Sequence, residues 1–232
     1  MALLDICETT ASRLGLRQPA TVVGSTDLTA QVLLALANEA GKHLMRYHDW
    51  QNLIVEVTAT ASASVVPIAL AADFDRMIYN PAIWNATTGL QLFGPTPQRV
   101  WRQLTSSGLT IAGVGGYWRL RGNALNVRPV MTAGDLLEFE YISKNWCESS
   151  GGTGQTEFMA DTDVTLVDEE LFVLEMVWRF RKSRGFGSYA EDLSTAEREK
   201  EKLASRDRGT GRIRSSSGYD LPPLFWPGSI DG

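Results

Sequence analysis

The residues best equipped for chemistry are few and scattered. His43 and His48 are the only histidines. They lie five positions apart in a stretch of helical periodicity and so turn to different faces, whereas a metal pair on a helix sits four apart. They are expected to be packed or solvated structural residues. Cys7 and Cys147 are the only cysteines and form no CxxC pair, so two unpaired thiols are expected rather than a disulfide or zinc framework. Asp161, Asp163 and Asp168 invite a calcium reading. The run from Asp161 lacks the glycine at position 6 of a calcium loop and carries Phe172 where the loop needs Glu. Capping ahead of a helix accounts for these carboxylates better. The glycine clusters at 113–116 and 151–154 precede no Lys-Ser or Lys-Thr pair, and no GxSxG elbow occurs. No catalytic residue, metal ligand or cofactor is therefore expected, and the chain is read as a non-enzyme.

The arginines are equipment of a different kind. Arg119, Arg121 and Arg128 fall in strand-like sequence beside Tyr117 and Trp118. They could contact phosphates while the aromatic rings stack on bases. The plainer expectation is a solvated sheet face on which they pair across strands with Glu138 or Glu140.

Composition bounds these readings. The chain has 232 residues, with 22 Lys and Arg against 27 Asp and Glu, a net charge of −5. Apolar residues make up 44%, enough to build a core, which excludes disorder throughout. The acidic balance excludes a globally basic nucleic-acid binder, though not a local basic face. No apolar run approaches the roughly 18 residues of a membrane span. The opening MALLDICETT lacks the basic start of a secretory signal. Cytosolic synthesis and no membrane partner are expected.

Elements must position these residues. Leu3, Cys7, Ala11 and Leu14 recur at helical spacing, predicting a helix that Gly15 ends. A second helix should start at Ser25 or Asp27 and run to about Asp49, with Leu28, Val32, Leu36, Ala40 and Leu44 on its apolar face. One short loop joins the two, which predicts a helical hairpin. From Trp50 the pattern turns to strands: Leu53, Val55 and Val57 alternate with Glu56 and Thr58, and Val65 to Ile68 follow. Thr96 and Pro97 predict a capped helix near 96–106 with Val100, Trp101 and Leu104 facing inward. Tyr117 to Tyr141 predicts an antiparallel meander turning at Gly122-Asn123 and again at Ala133–Asp135. Ser149 to Gly154 reads as a flexible loop. Asp168 opens a deeply buried helix carrying Leu171, Phe172, Val177, Trp178 and Phe180. A charged last helix holds Tyr189, Leu193, Ala196 and Leu203.

The sum is an α+β chain, mainly a helical bundle with an inserted antiparallel β-rich domain and an extended C-terminal tail. Residues 1–50 would form the N-terminal helical hairpin and 51–160 the inserted domain. Residues 161–204 would complete the bundle, and 205–232 would be the tail. That tail begins with a basic link, Arg206, Arg208, Arg212 and Arg214, and continues to Leu221, Leu224, Phe225, Trp226 and Ile230. Apolar side chains on a loose terminus need a surface, so these residues are the candidate docking site for a partner or a neighbouring copy.

Several phrases resemble one family. TTASRLGLRQPATVVGSTDLTAQVLLALANEAGKHLMRYHDWQNL, PAIWNATTG, LFGPTPQRVWRQL, FEYISKNWC and the segment from Asp161 to Tyr189 are similar to the head-to-tail adaptors of short-tailed bacteriophages, also called tail tubular protein A or tail accessory factor. The resemblance covers about residues 1–205. It implies a homo-oligomeric ring, typically of twelve subunits, beneath the portal protein. Such a ring extends the DNA channel, offers a platform to the tail nozzle protein, and helps genome retention and ejection. The implied partners are the portal, the nozzle and double-stranded DNA in passage. The implied location is the tail of the virion at the head–tail junction, after assembly in the host cytoplasm. C-terminal segments of the family clasp the portal. An acidic net charge suits a conduit that should not grip phosphates. The competing readings are a nucleic-acid-binding or regulatory phage protein, another tail-completion component, or an enzyme.

Overall fold

The structure, a computed structural model, describes residues 1–61, 67–106 and 116–207. It holds both helices and antiparallel sheets, so the chain is α+β.

Helix α1 (Leu3–Arg13) buries Leu3, Ile6, Cys7 and Ala11. It stops because Gly15 takes φ 69°. The Gly15 and Leu16 amides then bond back to Ser12 and Ala11 at 3.1 and 2.8 Å, satisfying carbonyls the helix leaves open. Helix α2 (Leu28–Tyr47) begins where the Asp27 carboxylate accepts the Thr29 amide at 3.2 Å. Leu28 therefore sits on the first turn and is exposed, rather than joining the buried stripe of Leu33, Leu36, Ala37, Ala40 and Leu44. The helix ends two residues before Asp49, because His48 is extended.

The sheets follow a different course from the predicted meander. Strand β1 (Ile54–Thr60) starts one residue after Leu53, which lies in a 3-10 turn. Next come β2 (Ile68–Ala69), β3 (Phe74–Met77), β4 (Ile83–Asn85) and β5 (Leu90–Leu92). Helix α3 (Gln98–Ser106) buries Trp101 but leaves Val100 exposed. The Thr96 hydroxyl donates backward to the Phe93 carbonyl at 3.3 Å instead of capping α3. Strands β6 (Tyr117–Leu120) and β7 (Ala124–Arg128) form the predicted hairpin around Gly122-Asn123. Strand β8 (Leu136–Ser143) does not continue it. It pairs with β1, β3 and β4 in one sheet, while β6 and β7 join β2 in another. The break falls at Pro129, which has no N–H to donate to a ladder.

Strand β9 (Cys147–Glu148) pairs on both edges, with β10 (Gly154–Gln155) and β11 (Val164–Thr165). The connection from Ser149 to Gly154, expected to be flexible, is a bonded turn. The Ser149 amide donates to the Thr153 carbonyl at 2.9 Å, and the Thr153 amide donates to the Ser149 hydroxyl at 3.1 Å.

Helix α4 (Glu169–Ser183) is capped by Asp168, which accepts the Leu171 amide at 3.0 Å. Helix α5 (Tyr189–Asp207) follows. The predicted α1–α2 hairpin is not the main contact. Helix α4 packs on α1, α2 and α5, while α1 and α2 touch each other only slightly. The apolar circumference of α4 explains this, since Leu171, Phe172, Val173, Met176, Val177 and Phe180 are all buried. Trp178, a core candidate by sequence, is half-buried. The central tryptophan is Trp146, fully buried between Phe158 (ring centroids 4.8 Å apart) and Phe172 (5.7 Å). One apolar core thus joins the helices to the lower end of β8 and to β9. A second core lies between the two larger sheets, built from Ile83, Trp118, Leu125, Leu137, Phe139 and Tyr141.

Candidate functional site

Strand alternation decides where the charged side chains go. In β6 and β7, Trp118, Leu125 and Val127 point to the second core. Arg119 and Arg128 therefore project from the opposite side, with Arg121 just beyond the strand end. An open groove of about 1160 Å³ takes in these arginines and Arg102 together with second-core side chains of both sheets, Leu120 and Val127 on one and Phe74 and Met77 on the other, and reaches Asp75 and Arg76. The Arg119 guanidinium lies 4.3 Å above the Trp101 ring, a cation–π contact. Burial, and then the neighbouring Arg121 and Arg102 charges, hold Arg119 below its ordinary value. Arg119 and Arg128 each keep a buried Nε with no hydrogen-bond partner among the described residues. Among the described residues, Arg76 alone of these five arginines is neutralised, by Asp49 and Asp75 at 2.8 Å each.

In β1 and β8 the same alternation sends Val55, Val57, Leu137 and Phe139 into the second core. Glu56, Glu138 and Glu140 project away from it. Glu56 stands directly opposite Glu140 in the ladder, an arrangement that costs stability. Trp84 pairs with Glu138 in the ladder, and Trp84 and Leu136 are both exposed on this sheet. The predicted cross-strand pairs between Arg119, Arg121 or Arg128 and Glu138 or Glu140 do not form, because β8 lies in the other sheet. Among the described residues, none of Glu56, Glu138, Glu140, Arg102, Arg119, Arg121 and Arg128 has an ion-pair partner. Of the rings in the base-stacking reading, Trp118 is 1% exposed and faces the core, while Tyr117 is half-buried on the arginine side, against Phe93 (ring centroids 5.9 Å apart).

A separate charge cluster sits among the helices. Glu175 on α4 is fully buried. It pairs with Arg179 one turn on and with Lys200 of α5 at 2.9 Å, and it accepts the Trp178 indole N–H at 3.1 Å. Burial alone would raise this carboxyl, but Arg179 and Lys200 outweigh it and hold it below the ordinary carboxylate value. His43 of α2 lies 3.7 Å away. Its pKa is lowered, first by burial, although Glu175 pulls the other way. His48 is buried edge-on against Trp50 and lies 3.3 Å from Asp207. The two histidines thus serve different contacts, as their spacing predicted.

The aspartates are spent on backbone. Asp161 accepts the Val22 and Val23 amides at 3.1 and 2.7 Å, and Asp163 accepts those of Met159 and Ala160 at 2.6 and 2.8 Å. Asp168 caps α4. Cys7 and Cys147 are free and buried, and both thiols are pushed up to about 12, first by burial and then by nearby carboxylates. A thiol so protonated is a poor nucleophile or ligand.

Of the tail candidates, Arg206 is described. It is exposed in the last turn of α5, so the helix extends past the expected boundary at 205. Arg208, Arg212, Arg214, Leu221, Leu224, Phe225, Trp226 and Ile230 lie outside the described residues. A small cleft of about 360 Å³ beside Arg206 is lined by Trp50, Leu166 and Leu203.

No protein-family model and no curated protein matches this chain. Among the described helices none is long and apolar enough to cross a membrane.

Proposed function

We propose that the chain is a structural subunit of a head-to-tail adaptor ring, joining a phage portal to the tail nozzle and extending the DNA channel between them. In this reading the helices form a bundle against the portal-side neighbours, and the strand-rich segment is a module inserted into it. The observation that carries the reading is the phrase-level resemblance over residues 1–205. The placement of those phrases supports it. TTASRLGL to YHDWQNL covers the second half of α1 and all of α2, and FEYISKNWC contributes Phe139 to the second core and Trp146 to the first. The last phrase thus runs from one core into the other, which suits a scaffold that must hold its parts rigidly. The unpaired charges on two separate surfaces also suit a subunit that must meet neighbours.

The tail beyond Asp207 is the proposed portal anchor, through Leu224, Phe225 and Trp226, with Arg208, Arg212 and Arg214 leading to it. The test is co-sedimentation of the full chain, and of a chain lacking 208–232, with the portal protein of the same genome. The full chain should pellet with the portal and the shortened chain should not. Equal binding by both would overturn the anchor, and absence of binding by the full chain would overturn the adaptor reading.

A further inference from the structure

The β module carries two groups of charges of opposite sign that are uncompensated among the described residues, one around the groove and one on the outer face of the β1–β8 sheet. On the groove side stand Arg102, Arg119, Arg121 and Arg128, in a chain whose net charge is −5. On the other stand Glu56, Glu138 and Glu140, two of them directly opposed in the ladder. A sheet face serving only solvent would gain by interleaving these signs, since cross-strand opposite charges stabilise and like charges do not. Segregation instead leaves each face short of the partner that the other supplies.

We infer that the arginine groove of one copy receives the Glu56–Glu138–Glu140 face of a second copy. The contact is heterologous, because the two surfaces are built from different residues. Such contacts repeat from copy to copy and close into a ring when the rotation allows. Both faces carry exposed apolar residues among the charges: Trp84 and Leu136 beside the glutamates, and Val130 beside the arginines. An interface needs such a desolvated centre within a polar rim. A guanidinium can meet a carboxylate through two parallel hydrogen bonds. DNA is the weaker occupant, because Trp101 and Trp118 are covered and the net charge is unfavourable. The inference deepens the adaptor reading by naming the subunit contact, but the charge pattern stands without the resemblance.

The test exploits the asymmetry. Arg102→Glu with Arg121→Glu cancels the charge of the groove, two arginines against two glutamates, and Glu56→Arg with Glu140→Arg turns the glutamate face basic. All four positions are exposed, and circular dichroism with thermal melting confirms that each double variant folds. Sedimentation velocity at low ionic strength should show salt-sensitive self-association of the wild-type chain. Each variant alone should be monomeric, and an equimolar mixture of the two should associate, because the intact glutamate face of the first variant meets the intact arginine groove of the second. A wild type that stays monomeric at its highest soluble concentration overturns the inference, as do variants that associate like wild type or a mixture that stays monomeric. Loss of duplex-DNA retention in the first variant with self-association intact would assign the groove to nucleic acid and overturn it equally. Failure of portal binding with the charge-swap result intact would remove the adaptor reading and leave this contact standing.

Discussion

Gly41 lies in the middle of α2, where glycine ordinarily weakens a helix. Replacing it by alanine should gain about 0.5–1 kcal/mol if nothing else changed. The structure predicts the opposite sign. A Cβ built on Gly41 would stand 2.5 Å from Cε3 and Cη2 of the Trp146 ring. Carbon atoms pack at roughly 3.5–4.0 Å, so the overlap is about 1 Å. The indole has nowhere to go. It is fully buried and held edge-on by Phe158 and against Phe172. Overpacking of this kind costs about 1–3 kcal/mol, so Gly41→Ala should be destabilising by about 1–2 kcal/mol net. For a chain of this size that lowers Tm by roughly 2–8 °C. Urea unfolding followed by tryptophan fluorescence measures it. The same substitution in a Trp146→Phe background, where the outer indole ring is gone, should cost markedly less, since touching residues couple. A Gly41→Ala chain as stable as wild type, or an equal cost in both backgrounds, would refute the close packing of α2 on Trp146.

Three further outcomes follow from the same geometry. Glu175→Gln leaves Arg179 and Lys200 buried without their carboxylate and should cost about 3–5 kcal/mol by urea unfolding at pH 7. The folded carboxyl lies below its ordinary value of 4.5. Its contribution is therefore fully present above that pH and is lost as the pH falls through the depressed value, so the variant should flatten the acid limb of the stability profile. Asp161→Ala strands the Val22 and Val23 amides and should cost about 1–3 kcal/mol, while added calcium should leave the wild-type Tm unchanged if the carboxylate serves backbone alone. Ellman's reagent at pH 8 should find no rapidly reacting thiol in the folded chain and two in denaturant, because Cys7 and Cys147 are buried and protonated.

The legible parts of the fold were those set by neighbours in sequence. Helices α1, α2 and α4 announce themselves by apolar spacing and by the caps Asp27 and Asp168, and the β6–β7 hairpin by Gly122-Asn123. Choices of distant partner were less legible. Alternation in Leu137, Phe139 and Tyr141 shows which side of β8 is wet, but it does not say which strand lies beside it. Taking sequence order for spatial order set Glu138 and Glu140 across from the arginines and neutralised both on paper. Once β8 joins the other sheet, the same residues become two unpaired surfaces, and these are the candidate site. Glu175 was similarly masked. Arg179 four residues on is a visible helical partner, but Lys200 comes from another helix, and no local pattern marks a carboxylate as buried. The close approach of Gly41 to Trp146 left no local signal beyond a glycine in a helix.

Mass decides the adaptor reading most directly. Light scattering of the purified full chain, alone and after mixing with the portal protein of the same genome, counts the copies that assemble. The expected result is a discrete complex carrying many copies of this chain on each portal ring, near twelve. A portal peak of unchanged mass, with this chain eluting separately, would contradict it.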